Sequence, residues 1–99
     1  MNYKHKLADG VSCVVWYCRP DSQFPYTVVF YGKDYEVDDR YYPGRVHAYI
    51  ALNASEDGSY RYFWGECNPR NFGAGKRITW TDTPETVRNA IVTEMSRKH

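Results

Sequence analysis

A chain of 99 residues holds one domain and one modest core, hiding roughly 60–70% of the surface its unfolded form exposes. A formal net charge of +1, with 42% hydrophobic and 25% charged residues, gives no global pull toward nucleic acid, acidic surfaces or anionic lipid. No apolar run approaches the roughly 18 residues that span a bilayer, and residues 1–10 lack the apolar stretch of a signal peptide. Three cysteines, an odd number, fit reduced thiols, so a cytoplasmic protein is expected.

Residues 1–10 carry Lys4, His5 and Lys6 and read as a loose lead-in. Residues 11–18 are β-branched and aromatic, which predicts a strand. Arg19, Pro20, Asp21 and Ser22 make a turn, because proline presets φ and Asp and Ser bond nearby backbone. Tyr26–Tyr31 is the returning strand, ended by Gly32. In residues 33–44, Tyr35 and Val37 suit a short edge strand. Asp34, Glu36, Asp38 and Asp39 make that stretch acidic, and charge is one way an edge resists pairing with another chain. Residues 45–53 alternate, with Val46, Ala48, Ile50 and Leu52 on one side and Arg45, His47, Tyr49 and Ala51 on the other.

Ser55, Glu56, Asp57 and Gly58 make a turn whose glycine can take positive φ. Residues 59–66 return, Tyr60, Tyr62 and Trp64 opposing Arg61 and Phe63. A loop rich in Asn, Pro and Gly covers 67–75, and residues 76–81 form a further strand with Ile78 and Trp80 on one face. The helix begins near 82–85, capped by Thr83 with Pro84 in the first helical position, or by Asp82 with Glu85 three residues on. Val87, Ala90, Ile91 and Met95 form its apolar stripe, and Glu94 and Lys98 are an i,i+4 pair. The fold class is therefore α+β: one antiparallel sheet of about five strands, built from hairpins, with one C-terminal helix on one face.

Seventeen residues are aromatic, ten of them tyrosine, and they fall on both faces of the predicted strands. Five strands give a face of about 480 Å², of which a helix of about 15 residues shadows roughly half. The opposite face has no helix. By pattern it carries His47, Tyr49, Arg61, Phe63, Arg77 and Thr79, joined by Val29 and Tyr31 for some strand orders. Tyrosine suits a binding face, giving contact area at low entropy cost with a hydrogen-bonding tip. The plain alternative is a solvated sheet face with tyrosines placed by β-propensity.

The chemistry-bearing residues converge on no motif. Cys13 and Cys18 face opposite sides of one strand, and the paired short spacing of zinc sites is absent even with Cys67 and His47 added. Gly73, Ala74, Gly75 and Lys76 lack the phosphate-loop spacing and precede a strand, not a helix. His47 with Cys67 or Glu66 has nothing to fix a nucleophile-and-base geometry. The acidic cluster does not match a calcium loop. No cofactor, metal or catalytic residue is expected.

Two function classes remain. The first is a non-enzymatic protein-binding module, a class that includes the small inhibitors phages and mobile elements direct at host enzymes. Tyr49, Phe63, Arg61 and Arg77 are expected near the centre of its face, with His47 beside them and Asp38 on an acidic rim. A homodimer through the same face is the self-association version. The second class is a single-stranded nucleic-acid binder, stacking bases on Tyr49 and Phe63 with Arg61, Arg77 and Arg70 on phosphates. The near-zero net charge and the acidic segment weigh against it, and no membrane partner is expected.

Overall fold

Two runs of β-branched and aromatic residues build the centre of the sheet. In the computed structural model, which describes residues 2–18, 20–32, 50–64 and 75–97, with backbone alone at 50, 51 and 62–64, these runs are adjacent antiparallel strands. Numbered in chain order, β1 is His5–Lys6, β2 Ser12–Tyr17, β3 Tyr26–Tyr31, β4 Ile50–Ala54, β5 Tyr60–Trp64 and β6 Lys76–Ile78; α1 is Glu85–Ser96. The described part is an α+β fold: one antiparallel sheet of six strands and a C-terminal helix. The path runs β1-β2-β3-β4-β5, and β6 also pairs β2.

β2 carries two neighbours on one edge. β6 pairs its later half, Val15 with Ile78, Trp16 with Arg77 and Tyr17 with Lys76. β1 pairs its first residues, His5 with Cys13 and Lys6 with Ser12. β3 fills the other edge over the whole length of β2. Two short strands therefore lie end to end along one side of β2, and His5 stacks flat on Trp80 at their junction, ring centroids 4.0 Å apart.

Residues 1–10 are thus not a loose lead-in. Asp9 and Gly10 both take positive φ, as the central pair of a type I′ turn must, and the Val11 N–H donates to the Ala8 carbonyl at 3.2 Å. The Leu7 N–H closes the hairpin on the Val11 carbonyl at 2.7 Å. The β4–β5 connection follows its predicted turn. The Gly58 N–H bonds the Ser55 carbonyl, and Gly58 sits at φ 92°, a conformation that favours glycine. The segment around Tyr35 and Val37 and the first part of the predicted 45–53 strand lie outside the described residues. β6 ends at Ile78, short of the predicted residue 81, yet Ile78 and Trp80 both pack on the main core as their spacing implied.

That core lies between the sheet and α1. Cys13 and Val15 of β2, Val28 and Phe30 of β3, and Leu52 of β4 meet Val87 and Ile91 of the helix, all essentially fully buried. Side chains of this size contribute about 1.5–3 kcal/mol each when fully buried. Met95 and Tyr60 pack at its margin. The helix is tied to the β4–β5 hairpin twice: the Thr86 hydroxyl donates to the Glu56 carbonyl, and the Tyr60 hydroxyl to Glu94 at 3.0 Å.

One helix expectation is corrected. Neither Thr83 nor Asp82 caps α1. Pro84 is the N-cap residue, with no side-chain cap bond, and the Thr83 hydroxyl instead donates to the Thr79 carbonyl at 2.8 Å. A proline disfavours helical backbone in the residue before it, so Thr83 belongs to the incoming turn. Lys98, the expected i,i+4 partner of Glu94, lies outside the described residues; Glu94 itself is buried and accepts from the Tyr60 hydroxyl. Among the described residues no helix is long and apolar enough to cross a membrane.

Candidate partner-binding face

The helix-free face can be followed strand by strand from the registers. Trp16 pairs Arg77 on one side and Thr27 on the other; Thr27 pairs Asn53, and Asn53 pairs Arg61. Paired residues share a face, so Arg77, Trp16, Thr27, Asn53 and Arg61 form one row across five strands. Four strand spacings of about 4.8 Å place the two arginines about 19 Å apart. The middle of the row is closed: Trp16 and Thr27 are buried, and the Thr27 hydroxyl donates to the Asn53 side chain at 2.9 Å. The ends are exposed arginines.

A second, smaller apolar cluster underlies this row. Val14, Trp16 and Val29 are buried together, with Tyr3, Cys18 and Tyr31 packed against them. The expected leftover aromatic surface is therefore not bare in the described region. Val92 on the helix, 53% exposed, is the one large hydrophobic residue that stands out into solvent there. The aromatic rings carry cations instead. The Arg77 guanidinium lies 4.8 Å from the centre of the Tyr3 ring and 5.8 Å from that of Trp16. Lys4 Nζ sits 4.4 Å from the Tyr31 ring centre, and Arg61 lies 5.5 Å from that of Phe24.

Each such contact contributes about 0.5–1 kcal/mol at an exposed site. Its larger consequence is order. A guanidinium held over a ring keeps its fork of N–H donors pre-set for a carboxylate or phosphate, at less entropy cost per bond formed.

Of the expected site residues, Arg61 and Arg77 are on the helix-free face, but at its two margins and not together at its centre. The reason is the strand order: β6 joins β2 at one edge, while β5 pairs only β4 among the described residues. Phe63 is opposite Ala51 in the register, and its side chain lies outside the described residues, as do His47, Tyr49, Asp38 and Arg70. Sequence reasoning missed Trp16, Tyr3, Lys4 and Phe24. Trp16 lies in a run buried on both faces, where alternation carries no information about facing. Tyr3 and Lys4 fall in the segment read as loose, where the adjacent Asp9 and Gly10 were the available hairpin signal.

The two described cysteines lie on opposite sides of the sheet. Cys13 is sealed in the main core, where desolvation pushes its thiol up to about 12. Cys18 packs with the opposite cluster, so the two point away from each other as the spacing implied. Cys67 lies outside the described residues. No three His, Cys, Asp or Glu side chains converge on a metal-sized site among the described residues.

Among the described residues, two hollows border the sheet. One, of about 340 Å³, lies between the β2–β3 loop and the β4–β5 turn and is lined by Pro20, Gln23, Glu56 and Asp57 among others. Its Asp57 carboxylate already accepts bonds from the Ser55 and Ser59 hydroxyls and from the Ser59 N–H. The other, of about 450 Å³, runs beside β6 between Tyr3 and Tyr17. No family model, curated protein or solved structure matches the chain.

Proposed function

We propose that this protein is a non-enzymatic binding module that docks an acidic surface of a partner protein on its helix-free face. The observation that carries this reading is the set of three cations on one face, Lys4, Arg61 and Arg77, each laid over an aromatic ring. Arginine and large aromatics dominate interface energies, and a held guanidinium suits carboxylates. Occluding such a surface is how a small module inhibits an enzyme or blocks an assembly. Self-association face to face is disfavoured, because it sets like charges against each other.

The same cations would also attract a single-stranded nucleic acid. Base stacking, however, needs open ring faces. On this side Arg77 lies over Tyr3 and Trp16, and Lys4 over Tyr31, so a base would have to displace them. That favours the protein partner.

The test is affinity capture from cells, with wild type run beside the double charge reversal Arg61→Glu, Arg77→Glu. A partner with an acidic surface that is retained by wild type and lost by the variant supports the reading. A partner held equally by both overturns it. Titration with single-stranded RNA and DNA over a salt series decides the rival: tight binding with a steep salt slope belongs to nucleic acid.

A further inference from the structure

The side of the sheet formed by β6 and β1 is a free edge among the described residues. It runs opposite the six residues of β2, about 20 Å, and such an edge presents unpaired N–H and C=O groups. Lys76, Arg77, Lys4 and Lys6 are all exposed along it. Lysine on an edge is an ordinary defence against unwanted pairing. Two further observations give this edge a different use.

The first is the groove of about 450 Å³ beside β6, walled by Tyr3 and Tyr17 and floored by residues 76–79. It has room for a few side chains of an extended chain. The second is the order of charge along the edge. Arg77 shares the helix-free face with Trp16, and Lys6, opposite Ser12, falls on that same side. Ile78 is on the helix side, packed on the main core beside Tyr17. A chain lying along the edge therefore meets Arg77 and Lys6 on one side and, on the other, a partly apolar wall at whose end the exposed Lys76 sits opposite Tyr17. Asp82 is the one acid in the groove.

We infer that this edge receives an extended segment of the partner as an added strand, with acidic and apolar residues in alternation. The inference rests on the docking reading above and supplies its mode. Main-chain bonds to the β6 edge give affinity; carboxylates facing Arg77 and Lys6, and small apolar side chains facing Tyr17 and Ile78, give selectivity. The Arg77 fork, held over Tyr3, is the first charge such a strand meets.

The probe is the peptide acetyl-Val-Glu-Val-Glu-Val-Glu-amide, titrated into the ¹⁵N-labelled full chain. Saturable amide shifts should concentrate at residues 76–79 and 4–6. A version with Lys for Glu, a version N-methylated at every backbone amide, and the Arg77→Glu protein should each bind on the order of tenfold more weakly. Equal binding of the N-methylated peptide overturns strand addition, since that peptide cannot pair with an edge. Shifts confined to the surroundings of Arg61 and Phe24 overturn the edge while leaving the face intact. Absence of saturable binding, with capture still lost in the Arg61, Arg77 double reversal, likewise removes the edge alone.

Discussion

Asp57 organises a whole turn with one carboxylate. It accepts from the Ser55 and Ser59 hydroxyls and from the Ser59 N–H at 2.9 Å, and these bonds hold its carboxyl down to about 2 from 3.8. A carboxyl with a lowered folded value binds fewer protons folded than unfolded in the interval between. Its contribution is therefore complete above pH 3.8 and fades as pH falls toward 2. Melting temperature should drop across that window, and Asp57→Asn should flatten the drop; an unchanged acid limb in the variant would refute the assignment. His5 works at a higher pH. Burial against Trp80 lowers its value below 6.5, so the unfolded chain takes up its proton first. Stability should fall as pH drops below 6.5, with a change in tryptophan emission as the stack takes up charge. His5→Gln should remove both effects, and their persistence would place the titration elsewhere.

At the scale of elements, α1 depends on its buried stripe more than on its ends. It has no side-chain N-cap, yet Val87 and Ile91 are fully buried against β2, β3 and β4. Ile91→Ala should cost roughly 2–5 kcal/mol, read from denaturant midpoints. Ile91→Asp sets an unpaired charge in the same place and should abolish cooperative unfolding. A variant melting within a degree or so of wild type would show that the helix does not dock there. The stripe was legible because period 3.6 is a local property of sequence, and the Ser55–Gly58 turn because glycine marks positive φ. The cap was misread because two adjacent motifs competed and Pro84 settled them one residue further on. β1 escaped because two residues of strand carry no periodicity, although Asp9 and Gly10 announced its turn. The pairing of β6 with β2 joins residues some sixty positions apart, and no local pattern encodes it.

At the scale of the whole molecule, a net charge of +1 does not report where the described charges lie. Lys4, Arg61 and Arg77 hold the helix-free face, while Glu56, Asp57 and Glu85 lie at the β4–β5 turn and at the start of the helix docked on it. Composition alone could not reveal this, because the facing of each charge depends on strand order. The order also separates the two arginines that were both expected near the centre of the face. Arg61 rests on Phe24 and Arg77 on Tyr3 and Trp16, with no cation–ring partner shared among the described residues. Residues about 19 Å apart on that row should act independently, since effects beyond about 7–10 Å usually add within about 0.5 kcal/mol. Calorimetry against the captured partner should show losses of about 1–2 kcal/mol for Arg61→Ala and for Arg77→Ala. The double variant should show their sum. Arg77→Lys should recover little, because an ammonium lacks the planar fork that stacks and pairs. Thermal melts must first show each variant folded, since truncating Arg77 also strips cover from Trp16. A coupling energy above about 1 kcal/mol would mean that the arginines grip one shared group, and the picture of a partner spanning the full width of the sheet would fail.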